Sequence, residues 1–156
     1  MAMSPEKLKE CLIFFVFRYS GRIQRTKLIK LVYLADVLSY RRRKKTITGV
    51  DYIYYDYGPW SSDFYDALES TPEIAEKLGF TPFGDVQYTY VQYTYRGTVP
   101  EYKFKHLIDE EVELLKEVDA EWGNRPLKAI LEKVYSSPPF AESTFGELID
   151  FSKATS

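Results

Sequence analysis

The feature that most constrains this chain is the stretch from residue 24 to 42, which holds neither proline nor glycine. Leu28, Leu31, Val32, Ala35 and Leu38 fall on one stripe of a helical period, and Ile29, Tyr33, Val37 and Tyr40 widen it. Only Lys27, Lys30, Leu34 and Arg41 remain for an outward face. A helix apolar around most of its circumference must be surrounded by other elements. The pattern therefore predicts a long central helix on which the rest of the chain packs. Asp36 falls inside the apolar arc, where a carboxylate is costly unless donors reach it. A backbone N–H, a tyrosine hydroxyl or an arginine is expected beside it.

Local signals place the other elements. Ser4-Pro5-Glu6 reads as a capped helix start, with Leu8, Leu12, Phe15 and Tyr19 at helical spacing up to Ser20-Gly21. Residues 49–57 are β-prone, and Gly58-Pro59 is expected to end that strand in a turn. Ser61 or Ser62 then caps a short helix carrying Phe64, Tyr65 and Leu68, and Pro72 opens another ending at Gly79. Thr81-Pro82-Phe83-Gly84 marks a loop.

A tandem repeat follows, Val86-Gln87-Tyr88-Thr89-Tyr90 and Val91-Gln92-Tyr93-Thr94-Tyr95. Its odd period sends the second copy to the opposite face of a strand unless a bulge intervenes near Tyr90. Arg96-Gly97 is read as a turn into a partner strand at residues 99–105. The C-terminal third is helical again, with Asp109 as cap, Val112, Leu115 and Val118 on one face, and Trp122-Gly123-Asn124 as the stop. Pro126 opens a helix with Leu127, Ile130, Leu131 and Val134 on one stripe, ended by Ser136-Ser137-Pro138-Pro139-Phe140. A last turn or two is expected between residues 143 and 151. The fold class is thus α+β, a mostly helical single domain over residues 1–156 with a small antiparallel hairpin.

Composition narrows the function. A net charge of −2 gives no whole-chain attraction to nucleic acid or an anionic membrane. One cysteine, Cys11, and one histidine, His106, leave no disulfide and no structural zinc cluster. No cofactor motif is present: there is no phosphate-binding glycine loop, nucleophile elbow or zinc-helix motif. The apolar run at residues 11–17 is far shorter than the roughly 20 residues a membrane span needs, and acidic residues precede it. A reducing, cytoplasmic setting is expected.

Cys11 reads as a core residue and His106 as a structural or surface one, so the chain is not expected to be an enzyme. Two features suit a partner surface. Arg41, Arg42, Arg43, Lys44 and Lys45 oppose the negative end of the long helix but exceed what that end requires. Tyr88, Tyr90, Tyr93 and Tyr95 carry the residue type that populates interface hot spots. With the short helices and hairpin, the basic run also admits a winged-helix reading in which nucleic acid is the partner. Against it, the would-be recognition helix is too apolar to lie in a groove.

Residues 27–36, Lys-Leu-Ile-Lys-Leu-Val-Tyr-Leu-Ala-Asp, resemble the K-L-x-K-L-x-Y-x-A helix of Panacea domains of the SocA-like antitoxin family. Tyr57-Gly58-Pro59 followed by Tyr65 and Leu68 resembles the family's Y-G-P turn and helix, and residues 109–140 resemble its C-terminal helical pair. The resemblance implies an antitoxin that binds and neutralises a protein toxin, in the SocA-like case delivering it to a protease. No catalytic residues come with it, and Lys30, Tyr33, Asp36, Tyr57, Gly58 and Pro59 enter as fold determinants. The chain departs from the pattern in its tyrosine-rich middle and in Trp60.

Overall fold

The computed structural model describes residues 2–19, 21–56, 58–97 and 102–154. The first helix, α1, spans Pro5–Arg18, with the Ser4 side chain accepting from the Lys7 N–H and proline in the first turn. A two-residue strand β1, Ile23–Gln24, leads into α2, Arg25–Arg43, which ends on Lys44 in the left-handed conformation. Leu28, Ile29, Leu31, Val32, Tyr33, Leu34, Ala35 and Val37 of α2 are all buried. So are Lys27 and Lys30, which the helical pattern assigned to an outward face. The helix is covered on that side too, by α4 (Asp109–Trp122), α5 (Leu127–Ser136) and β3 (Gly58–Trp60).

Gly58-Pro59 does not end a strand; it begins one. Strand β2, Ile53–Tyr55, pairs antiparallel with β3, so that Tyr55 faces Gly58 and Ile53 faces Trp60. Proline is tolerated because this is a two-stranded sheet, where its missing N–H need not break a ladder. Helix α3, Asp63–Glu69, follows.

The segment after Pro72 is a strand, β4 (Ile74–Phe83), rather than the helix its residues suggest. Ala75, Glu76, Lys77 and Leu78 favour helix, but cross-strand pairing overrides that weak preference. Its partner is β5, Val86–Tyr95, reached through a turn at Gly84-Asp85. The hairpin therefore forms on the N-terminal side of the tyrosine repeat, not with residues 99–105. Residues 98–101 lie outside the described residues, and 102–105 carry no strand.

Strands β4 and β5 pair residue for residue from Ile74↔Tyr95 to Phe83↔Val86 without a bulge. The repeat accordingly sends Tyr88 and Tyr90 to one face and Tyr93 and Tyr95 to the other. Strand β1 adds to the far side of β5, giving the sheet order β1-β5-β4. Helix α4 is capped by the Glu111 carboxylate, which accepts from the Ile108 N–H, so Ile108 rather than Asp109 holds the cap position. Two short 3-10 turns, Phe140–Glu142 and Phe151–Lys153, close the chain, and Leu148 bridges to Ile53 of β2. The architecture of the described residues is an α+β fold of five α-helices and small antiparallel sheets.

Candidate protein-interaction site

Asp36 shows how α2 organises its surroundings. Its Oδ1 accepts from the N–H groups of Ile47 (2.8 Å) and Thr48 (3.0 Å), and its Oδ2 from the hydroxyls of Thr48 (2.6 Å) and Tyr52 (2.7 Å). Burial pushes its carboxyl up, against the pull of the hydrogen bonds from Thr48, Tyr52 and Ile47. Every oxygen is satisfied within the fold, and the carboxylate has no exposed surface. This is a tie between α2 and the following loop, with no atom free for chemistry. His106 is exposed and its N–H, like those of Lys105 and Leu107, donates to the buried Glu10 carboxylate of α1. Cys11 is buried and its thiol is pushed well up, chiefly by burial and then by the Asp36 charge, which keeps it from acting as a thiolate. Tyr33 packs edge-on against Tyr52 at 5.1 Å between ring centres.

The two lysines of α2 end differently. Lys27 Nζ donates to the carbonyls of Gly123 (2.9 Å) and Arg125 (3.0 Å) and to the Tyr19 hydroxyl, at the negative end of α4. Lys30 Nζ donates to the Pro59 carbonyl at 2.8 Å, its one hydrogen bond among the described residues. Gly58, at φ +99°, lies over the Lys30 side chain so closely that an added Cβ would sit 2.8 Å from Lys30 Cε. Thus Lys30, Gly58 and Pro59 meet in one place; Tyr57 lies outside the described residues. Burial brings the Lys30 ammonium down to about 8.

The basic run is divided. Arg42 pairs with Glu117 at the exposed surface, whereas Arg43 is turned inward, reaching Glu111 of α4 at 3.1 Å and Ser39 of its own helix at 3.0 Å. Arg41 is half-buried, and Lys44 and Lys45 are exposed. The tyrosines divide as well. Tyr88 is exposed and Tyr90 half-buried, whereas Tyr93 is buried with its hydroxyl on Arg25 Nε at 2.8 Å, and Tyr95 packs on Phe17.

Pattern reading of the sequence did not find the aromatic row beside Lys30. Phe145, Tyr55, Trp60 and Tyr65 follow one another with ring centres 6.0, 5.8 and 5.7 Å apart, and the Arg25 guanidinium lies 4.6 Å over Tyr65. Phe145 is 58% exposed, Tyr55 51% and Tyr65 39%. The four members of the row come from β2, β3, α3 and the loop between the two 3-10 turns, so no periodicity joins them. The outer half of the β4–β5 hairpin also exposes apolar residues, Leu78 and Phe80 on one face and Val86 and Tyr88 on the other.

Asp36 and Glu10 tied within the fold, beside clustered exposed aromatics, define a class: a small α+β domain with an aromatic surface. Within that class the chain belongs to the antitoxin SocA-like, Panacea domain family, whose match covers residues 28–141. Comparison with curated proteins and with solved structures gives no match. Among the described residues no helix is long and apolar enough to cross a membrane.

Proposed function

We propose that this chain acts as an antitoxin by direct, non-enzymatic binding of a protein toxin. Membership of the antitoxin SocA-like family carries this reading. It is supported by the aromatic row at Phe145, Tyr55, Trp60 and Tyr65, since aromatic side chains dominate interface energetics. The pairing of Arg42 and Arg43 with acids of α4 neutralises part of the basic run and weighs against nucleic acid as the partner. Lys30, Tyr33, Asp36, Gly58 and Pro59 act in this reading as the frame that holds α2 against β3 and the loop after it.

Co-expression with the product of the adjacent gene tests it. The expected result is a stoichiometric complex on gel filtration and relief of growth arrest, with both lost in a Tyr55→Ala/Trp60→Ala double variant. A protein that neither co-elutes with nor relieves the toxicity of any neighbouring gene product would refute it.

A further inference from the structure

Beside the aromatic row lies a cavity of about 280 Å³ whose lining includes Arg25, Thr26, Lys30, Tyr55, Trp60 and Tyr65. Two of these are cations, and no carboxylate lines it among the described residues. An ammonium carries three donors. Lys27 uses its own on two carbonyls and a hydroxyl, but Lys30 is equally buried with a single carbonyl and no ion pair among the described residues. A buried cation left short of acceptors is costly, and an incoming carboxylate offsets that cost.

Arg25 is held in place by Tyr93 through Nε and by Glu76 through its terminal nitrogen at 3.3 Å, with its plane over Tyr65. The Glu76 side chain is 60% exposed, so this pair is screened and neutralises the guanidinium only in part. The cavity thus opens between a pinned guanidinium and a buried ammonium. Its volume falls just below the roughly 300 Å³ at which pockets for drug-sized ligands begin, which suits a side chain rather than a cofactor. The rim is apolar and continuous with Tyr55 and Phe145.

We infer that this cavity is a socket for the carboxylate of an Asp or Glu side chain on a partner protein, whose neighbouring apolar residue lies across Trp60 and Tyr55. The inference deepens the protein-binding reading above and rests on it for the partner's being a protein. A free oxyanion would use the two cations but leave the aromatic rim idle, whereas an acidic peptide uses both.

The test is an NMR titration of the full chain with a blocked peptide, acetyl-Ala-Leu-Glu-Leu-Ala-amide, and its Gln counterpart. Saturable shifts are expected at the Lys30 side chain, Arg25 Nε and the Trp60 indole, with the Gln peptide binding roughly tenfold more weakly or less, as loss of a charge-assisted pair requires. Lys30→Met and the more superficial Arg25→Gln and Trp60→Ala should each weaken the Glu peptide; the last two keep the test open if the first fails to fold. Absence of saturable shifts, equal response to the two peptides, or an equal response to sodium acetate or inorganic phosphate alone would overturn the proposal. A chain that binds the Glu peptide but neutralises no neighbouring toxin keeps the socket and loses the antitoxin role. Neutralisation without any peptide response does the reverse.

Discussion

At the level of single residues, two buried charges on one helix are treated in opposite ways. Asp36 is fully partnered, so its removal should be felt as four orphaned donors. Asp36→Ala is expected to cost about 3–5 kcal/mol of unfolding free energy, and Asp36→Asn distinctly less, since the amide keeps its oxygen for the Ile47 and Thr48 N–H groups. Urea denaturation measures both, and an alanine cost under about 1 kcal/mol contradicts the tie. Lys30 is under-partnered, and its ammonium sits below its ordinary 10.5, at about 8. Between those values the unfolded chain binds the extra proton and the folded chain does not, so stability rises with pH across that window. From about pH 9 the Cys11 thiol, and above about pH 10 the tyrosines Tyr33 and Tyr52, all pushed up by burial, oppose this slope. Stability measured from about pH 7.5 to about 8.5 should therefore climb in the wild type and stay flatter in Lys30→Met. The helical period places Lys30 on an outward face; what buries it is a carbonyl 29 residues away, which no local pattern encodes.

At the level of elements, local chemistry determines what is legible. Helices α1, α2, α4 and α5 announce themselves through apolar residues at helical spacing, helped by a serine cap at α1 and by proline at the starts of α1 and α5. The β4–β5 hairpin does not, because β4 is made of helix-favouring residues held extended only by β5. The face reversal of the tyrosine repeat was legible, since it follows from an odd period alone, but the partner strand was not. That dependence on pairing has a dynamic consequence. The inner end of the hairpin buries Ile74, Gln92 and Tyr93, while its outer half, from Leu78 to Thr89, is largely exposed. Amide exchange should be fast in the outer half and slow at residues 92–95, because local opening there breaks few buried contacts. Uniform protection along both strands in hydrogen-exchange mass spectrometry would show that something else covers the outer half.

At the level of the whole molecule, three helices meet at one carboxylate. Glu111 of α4 is buried and receives Lys7 of α1 at 2.9 Å, Arg43 of α2 at 3.1 Å and the Ile108 N–H at 3.1 Å. Burial alone pushes this carboxyl up, but the hydrogen bonds from Lys7, Ile108 and Arg43 outweigh it and hold the group below its ordinary 4.5. The folded state thus releases this proton more readily than the unfolded chain, and the stabilisation is fully present above the unfolded value near 4.3. It is lost as pH falls below that value toward the lower folded one. Glu111→Gln removes the charge while keeping an oxygen for the Ile108 N–H, and leaves Arg43 with only the looser Glu110 at 3.8 Å and Ser39. At pH 7 the variant should unfold about 1–3 kcal/mol more easily, and the gap should close below about pH 4. A gap that is the same at pH 7 and at about pH 3.5 would mean that Glu111 acts through packing rather than charge. The junction of α1, α2 and α4 would then hold without its charge.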